Sequence, residues 1–237
     1  MHAGHAAWLG LALLAAGAQS AAARPDEPAF AISRVGAKSS AGGGVARLTL
    51  SAALAPSWED ANVGFLALRS HGNQRGVDAG LAHGRDLDVA LPATGCSVLV
   101  ADLGRPEDRG HPDSWRRSRR SVRAVFCQDS GDPSRDLAAR RRAGALLLAG
   151  AGTRDEVRPL ANPATTRPGS SLPVRVYADG RPAAGVPVVV EGPGGASTAT
   201  MADAHGVAVV SLPAAGAWRV YFRSDEGRIA ELLFDVP

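Results

Sequence analysis

Short alternating or β-branched runs, each closed by Gly, Pro, Asn or Asp, follow one another along most of this chain. That punctuation restricts the fold more than any other feature. Runs of this length carry the two-residue period of strands and are too brief for helices. In the N-terminal part the pattern predicts strands over 29–35, 45–51, 63–69, 87–91, 97–101, 122–127 and 145–149. A short helix is predicted over 135–142 (RDLAARRR) and a helical turn over 113–120. The segment 162–169 (NPATTRPG) reads as a linker, because Pro163, Pro168 and Gly169 stop regular structure on both sides.

Beyond it the alternation is cleaner. Leu172, Val174 and Val176 alternate with Pro173, Arg175 and Tyr177 before an Asp179-Gly180 turn. A strand over 186–190, a glycine-rich loop over 192–195, a turn at Ala204-His205-Gly206 and a strand over 207–212 follow. Trp218, Val220 and Phe222 face opposite to Arg219, Tyr221 and Arg223, as in a half-buried antiparallel strand, and a last strand covers 229–234. The expectation is an all-β protein of two β-sandwich-like domains. An N-terminal β domain with an Arg-rich connection spans 24–161, and an immunoglobulin-like or transthyretin-like sandwich spans 170–237.

The first 23 residues carry no Asp, Glu, Lys or Arg and hold an apolar run over 6–18 before A-x-S and A-x-A patterns. They read as a secretory signal peptide cut after Ser20 or Ala23, with an uncleaved N-terminal anchor as the alternative. The run is shorter than the ~20 apolar residues of a membrane span. Export places the mature chain in the periplasm or outside the cell, in an oxidising setting where Cys96 and Cys127 form a disulfide or remain as two buried thiols. Neither cysteine has a C-x-x-C partner, so redox catalysis and a zinc knuckle find no support.

The net charge is +3, and Lys38 is the only lysine among 26 basic residues. The charge is uneven: residues 105–142 hold eleven arginines against six acidic side chains. Arg116, Arg117, Arg119 and Arg120 are candidates for binding an anionic envelope polymer or an acidic partner, or they form a solvated connection. Nucleic acid is not expected outside the cell, and only Trp115 supplies a stacking ring beside the run.

The segments E-V-R-P-L-A-N-P from Glu156, A-D-G-R-P-A-A-G-V-P-V from Ala178, D-A-H-G from Asp203 and G-A-W from Gly216 together resemble a bacterial exported family of unknown function associated with cobalt or nickel ABC-type transport. Trp115 to Val122 is similar to that family's Y-x-R-Y-A-K-x-L segment, with Arg117 on its arginine and Arg120 on its lysine. The resemblance covers about a third of the chain and implies a non-catalytic accessory role in periplasmic nickel or cobalt handling, beside a transporter component or another envelope protein. The family opens its mature chain with a histidine beside an aromatic residue, whereas this one starts Arg24-Pro25-Asp26. His71, His83 and His111 become the candidate ligands, against a reading as surface-loop histidines, and His205 is a turn residue. No G-x-S-x-G, H-E-x-x-H or P-loop pattern is present, so no enzyme activity is expected. The alternative function is a structural or adhesive immunoglobulin-like envelope module without a small ligand.

Overall fold

The computed structural model describes residues 29–35, 44–52, 54–70, 73–104 and 120–237. The expected signal peptide, the turn over 113–120 up to Arg119, and His71, His111, Arg116, Arg117 and Arg119 lie outside them.

The fold is all-β and sandwich-like, as the punctuation predicts. Its centre is an eight-stranded sheet. One half comes from β3 (Asn62–Ser70), β4 (Asn73–Gly76), β6 (Gly95–Gly104) and β7 (Arg120–Gln128). The other half comes from β11 (Pro187–Glu191), β12 (Ser197–Met201), β14 (Gly216–Arg223) and β15 (Ile229–Val236). The order is β12-β11-β14-β15-β7-β6-β3-β4, antiparallel except where β15 runs parallel to β7. Residues more than a hundred positions apart therefore join the two halves, with Ile229 opposite Arg120 and Leu233 opposite Ala124.

A three-stranded sheet of β1 (Phe30–Val35), β2 (Val45–Leu50) and β5 (Asp86–Ala90) covers one face of β3, β6 and β7. A second sheet, built on β9 (Ser170–Ala178) with β8 (Glu156–Pro159), β10 (Arg181–Pro182) and β13 (Val207–Leu212), covers the opposite face of the central sheet. Strands β6 and β7 are thus buried on both sides. Cys96, Val98, Val100, Val125 and Cys127 enter the C-terminal core, while Leu99, Ala101, Leu103, Val122, Ala124 and Phe126 enter the N-terminal one. This is why the two strands read as nearly continuous apolar runs rather than alternating ones.

The expected pair of sandwiches is present, but the two share a sheet. Residues 162–169 hold a 3-10 turn, Pro163–Thr165, with Pro163 and Ala164 buried against β15 and the first helix, so the segment packs into the fold instead of spacing two bodies. That helix, α1 (Pro133–Arg142), starts where Asp132 accepts hydrogen bonds from the N–H groups of Ser134 and Arg135 and ends in three arginines, both favourable to its dipole. The strand expected over 145–149 is instead a helical turn, α2 (Gly144–Leu148). Its Ala and Leu residues carry no β-branch and continue from α1, burying Leu147 alone. Strands β4, β8, β10 and β12 were not expected; three of them have at most four residues, and β12 is Ser/Thr-rich and exposed. The Asp179-Gly180 turn forms as predicted, with both residues at positive φ (53° and 73°), as a two-residue hairpin turn requires.

Candidate functional site

Ionic groups border the two cores, and their partners decide which polar residues are left for function. Arg123 on β7 faces the C-terminal core and is 2% exposed. Its Nη1 donates to Glu156 Oε1 at 2.7 Å and its Nη2 to the carbonyl of Ala149. Glu156 also accepts from the N–H of Ala151 (2.9 Å) and from Arg158 Nη2 (2.8 Å). Arg69 donates to the carbonyls of Gly150 and Ala151, tying β3 to the segment that follows α2. Burial, opposed by Glu156 and reinforced by Arg158 and Arg69, pulls the Arg123 guanidinium down to about 10, and it remains charged at neutral pH.

The residues of E-V-R-P-L-A-N-P thereby receive structural duties. Glu156 anchors β8 to β7, and Arg158 lies over the Tyr177 ring at 4.5 Å. Asn162 caps the 3-10 turn through the N–H of Ala164 and donates to the carbonyl of Arg140. A second cluster joins Arg228 to Asp155 (2.5 Å) and Asp179 (3.1 Å). Burial favours the neutral form of Asp179, but hydrogen bonds and charge from Arg154 and Arg228 prevail and hold it below the usual carboxylate range.

Glu231 on β15 is buried at a third junction. It accepts from the Ala29 N–H (3.1 Å), Arg120 Nη1 (3.2 Å) and Arg219 Nε (2.8 Å), tying the start of β1 and the start of β7 to the C-terminal half. Arg219 also reaches Glu191 (2.9 Å) and lies 4.0 Å over the Tyr221 ring. Burial works against its charge, while Glu231 and Glu191 raise its pKa above the ordinary value. The face of β14 expected to be solvated is therefore closed at Arg219 and Tyr221, 5% and 6% exposed.

Beside this junction the three-stranded sheet stops at β1, and a groove of about 310 Å³ opens between β1 and the face of β14 and β15. Phe30, Ala31 and Ile32 form one wall; Trp218, Arg219 and Leu233 belong to the other. Glu191, Gly192 and Asp235 also line it. Gly192 has to lack a side chain, since a Cβ there would come within 2.6 Å of the Trp218 indole. Among the described residues no strand pairs with the second edge of β1. Ala29 accepts from the Ser51 N–H, so by the alternation of the ladder Phe30 and Ile32 turn their backbone groups away from β2, and of the two it is Ile32, half-buried where Phe30 is buried, that offers them to the groove. Sequence reasoning missed this groove, since its walls lie some two hundred positions apart.

The residues singled out from sequence are dispersed. Cys96 and Cys127 face each other across β6 and β7 as a disulfide, Cα atoms 4.1 Å apart. His83 is exposed in a tight turn, exchanging backbone hydrogen bonds with Asp86. His205 is exposed in the turn closed by Asp203, which accepts from the N–H groups of His205 and Val207 at 2.8 Å each. Among the described residues no three His, Cys, Asp or Glu side chains gather as a metal site. Arg120, one of the four candidate arginines, is seated by the sheet against Glu231 at 3.2 Å.

Residues 140–226 match the family described as a domain of unknown function (DUF4198). The DUF4198 match covers a little over a third of the chain, from the end of α1 to the turn after β14, and takes in the Glu156 and Asn162 anchors. Its description names no metal and no transporter. No curated protein matches the chain. Similar solved structures include the BSP domain of a biofilm-associated protein (12% identity, TM-score 0.24, 81% of this chain and 27% of that one). The D0-D1 domain of intimin is 15% identical, with TM-score 0.26, 87% of this chain and 95% of that one covered. A 1.5-MDa bacterial ice-binding adhesin is 12% identical, with TM-score 0.25, 87% and 62% covered. The chain thus spans about a quarter of the first structure's length and under two thirds of the third's.

Proposed function

We propose that this chain is a non-catalytic, exported module of the cell envelope that works by binding another envelope protein. Its contact is the groove beside β1, which takes an extended segment of the partner as an added strand. The observation that carries this reading is the open edge of β1 facing an apolar groove with the Arg219–Glu191 pair at its border. Strand addition uses such an edge for main-chain hydrogen bonds and such a groove for alternate side chains.

The test is selection of linear peptides on the full chain, followed by hydrogen exchange. Extended binders that protect the amide of Ile32, and whose binding is lost in Ala31→Arg, support the proposal. Protection confined to another strand overturns it. Calorimetry with nickel, cobalt, copper and zinc separates this role from metal handling. Heat abolished by replacing His71, His83 and His111 together with alanine would place metal handling first.

A further inference from the structure

The two ends of the eight-stranded sheet are finished differently. At one end β4 has four residues, Asn73–Gly76, and carries Arg75, whose guanidinium donates to the carbonyl of Ala90. A short, charged strand of this kind discourages further pairing. At the other end β12 reads Ser-Thr-Ala-Thr-Met, with no charge and no proline, and Met201 is 59% exposed. Among the described residues no charge, proline or covering element protects this edge.

Which backbone groups it offers follows from the ladder with β11. Val186 accepts from the Ala202 N–H at 3.0 Å and Ala196 accepts from the Gly192 N–H at 2.8 Å. The even-numbered residues of β12 therefore bond to β11, and Ser197, Ala199 and Met201 turn their N–H and C=O groups to the free edge. An outward-facing residue stands at the middle of the strand, so a two-fold axis through it pairs all three outward residues with one another.

We infer that β12 is a self-association edge, on which a second copy of this chain pairs antiparallel with Ala199 opposite Ala199 of the second copy. In that register Ser197 meets Met201, and each outward pair exchanges both of its N–H···O bonds. Thr198 meets Thr200 on the other face, a favourable cross-strand pair. The methyl groups at the axis are small enough for close approach, and the exposed Met201 gains cover from the opposing copy. Where each copy's 202–206 turn comes beside the other's 194–196 segment, Gly194 and Gly195 leave open space, with no atom within 4 Å of a built Cβ. A second copy suits this edge better than an unrelated peptide, because the symmetric register uses every outward group of a short strand and needs no side-chain pocket. Glu191 and Gly192 of the groove pair with Ser197 and Ala196 at the start of β12, but no residue of β12 lines the groove, so the inference does not depend on the proposed function.

The test is sedimentation of the full chain over a concentration series. The mass should rise from monomer toward twice that value. Ala199→Lys, which sets two like charges at the axis, should return it to monomer without changing the thermal midpoint. Val209→Lys, a change at an exposed position on β13, should leave the dimer intact. Ala199→Cys should yield a disulfide-linked dimer on oxidation. A chain that stays monomeric at every soluble concentration overturns the inference, and so does a dimer that survives Ala199→Lys.

Discussion

The two cores of this molecule are built from different materials around the same strands. The N-terminal core is leucine-rich, with Leu48, Leu50, Leu68, Leu87, Leu99 and Leu103 around Trp58 and Phe30, whose rings lie 6.2 Å apart. Its one buried indole N–H is satisfied by the carbonyl of Arg85 at 2.8 Å. The C-terminal core is valine-rich, with Val98, Val100, Val174, Val176, Val188, Val190 and Val220, and it is bordered by the disulfide and by the Glu156 and Asp155 clusters. The difference shows where each half draws its definition. Large side chains filling a gap define the first, with Glu231 buried at its border, and β-branched cross-strand pairs with the disulfide and two ion-pair clusters define the second. Because both cores press on β6 and β7, each half completes the other, and a lesion in either should be felt by both.

The strongest way to break that relation is at Glu156. Replacing it with alanine leaves Arg123 buried without its carboxylate and should cost about 3–5 kcal/mol in urea denaturation, while the Arg123→Met, Glu156→Leu double variant should recover much of the loss. Replacing Cys96 and Cys127 together with alanine should cost about 3.5 kcal/mol by the chain-entropy argument for a loop of this length. Leu48→Ala, in the other core, should cost about 3 kcal/mol. It should lower the same transition with unchanged denaturant slope, and a separate early transition would show that the N-terminal half unfolds alone.

The smallest effect is on pH. The N–H groups of Val207 and His205 favour ionised Asp203 and hold its pKa below the ordinary value. The stability this contributes is fully present above the unfolded carboxylate value, about 3.9, and is lost as pH falls through the lower folded value. Asp203→Asn should remove this small contribution at neutral pH and flatten the acid limb of a stability–pH curve.

How much of this was legible in the sequence follows the same division. The alternation at Leu172, Val174 and Val176, the Asp179-Gly180 turn and the set Trp218, Val220 and Phe222 could be read directly, because each strand has one clearly apolar face. Strand β6 was expected over 97–101 and runs Gly95–Gly104, since burial on both faces erases the period that marks its ends. The apolar run at Ala145–Ala149 has too few residues for its period to separate helix from strand. The parallel pairing of β15 with β7 left no local mark, and with it went the shared sheet, the role of Glu231 and the groove. Glu156 and Asn162 were visible as a family marker, and only their partners Arg123, Ala151, Ala164 and Arg140 reveal the structural reason.

The shared sheet is tested most directly by pulsed hydrogen exchange across a urea series, read on peptides from β2 and β9. These strands lie in opposite layers and touch the central sheet from opposite faces. A common midpoint for the two peptides is the predicted result. Exposure of β2 at clearly lower urea, with β9 still protected, would contradict a fold in which β6 and β7 serve both cores.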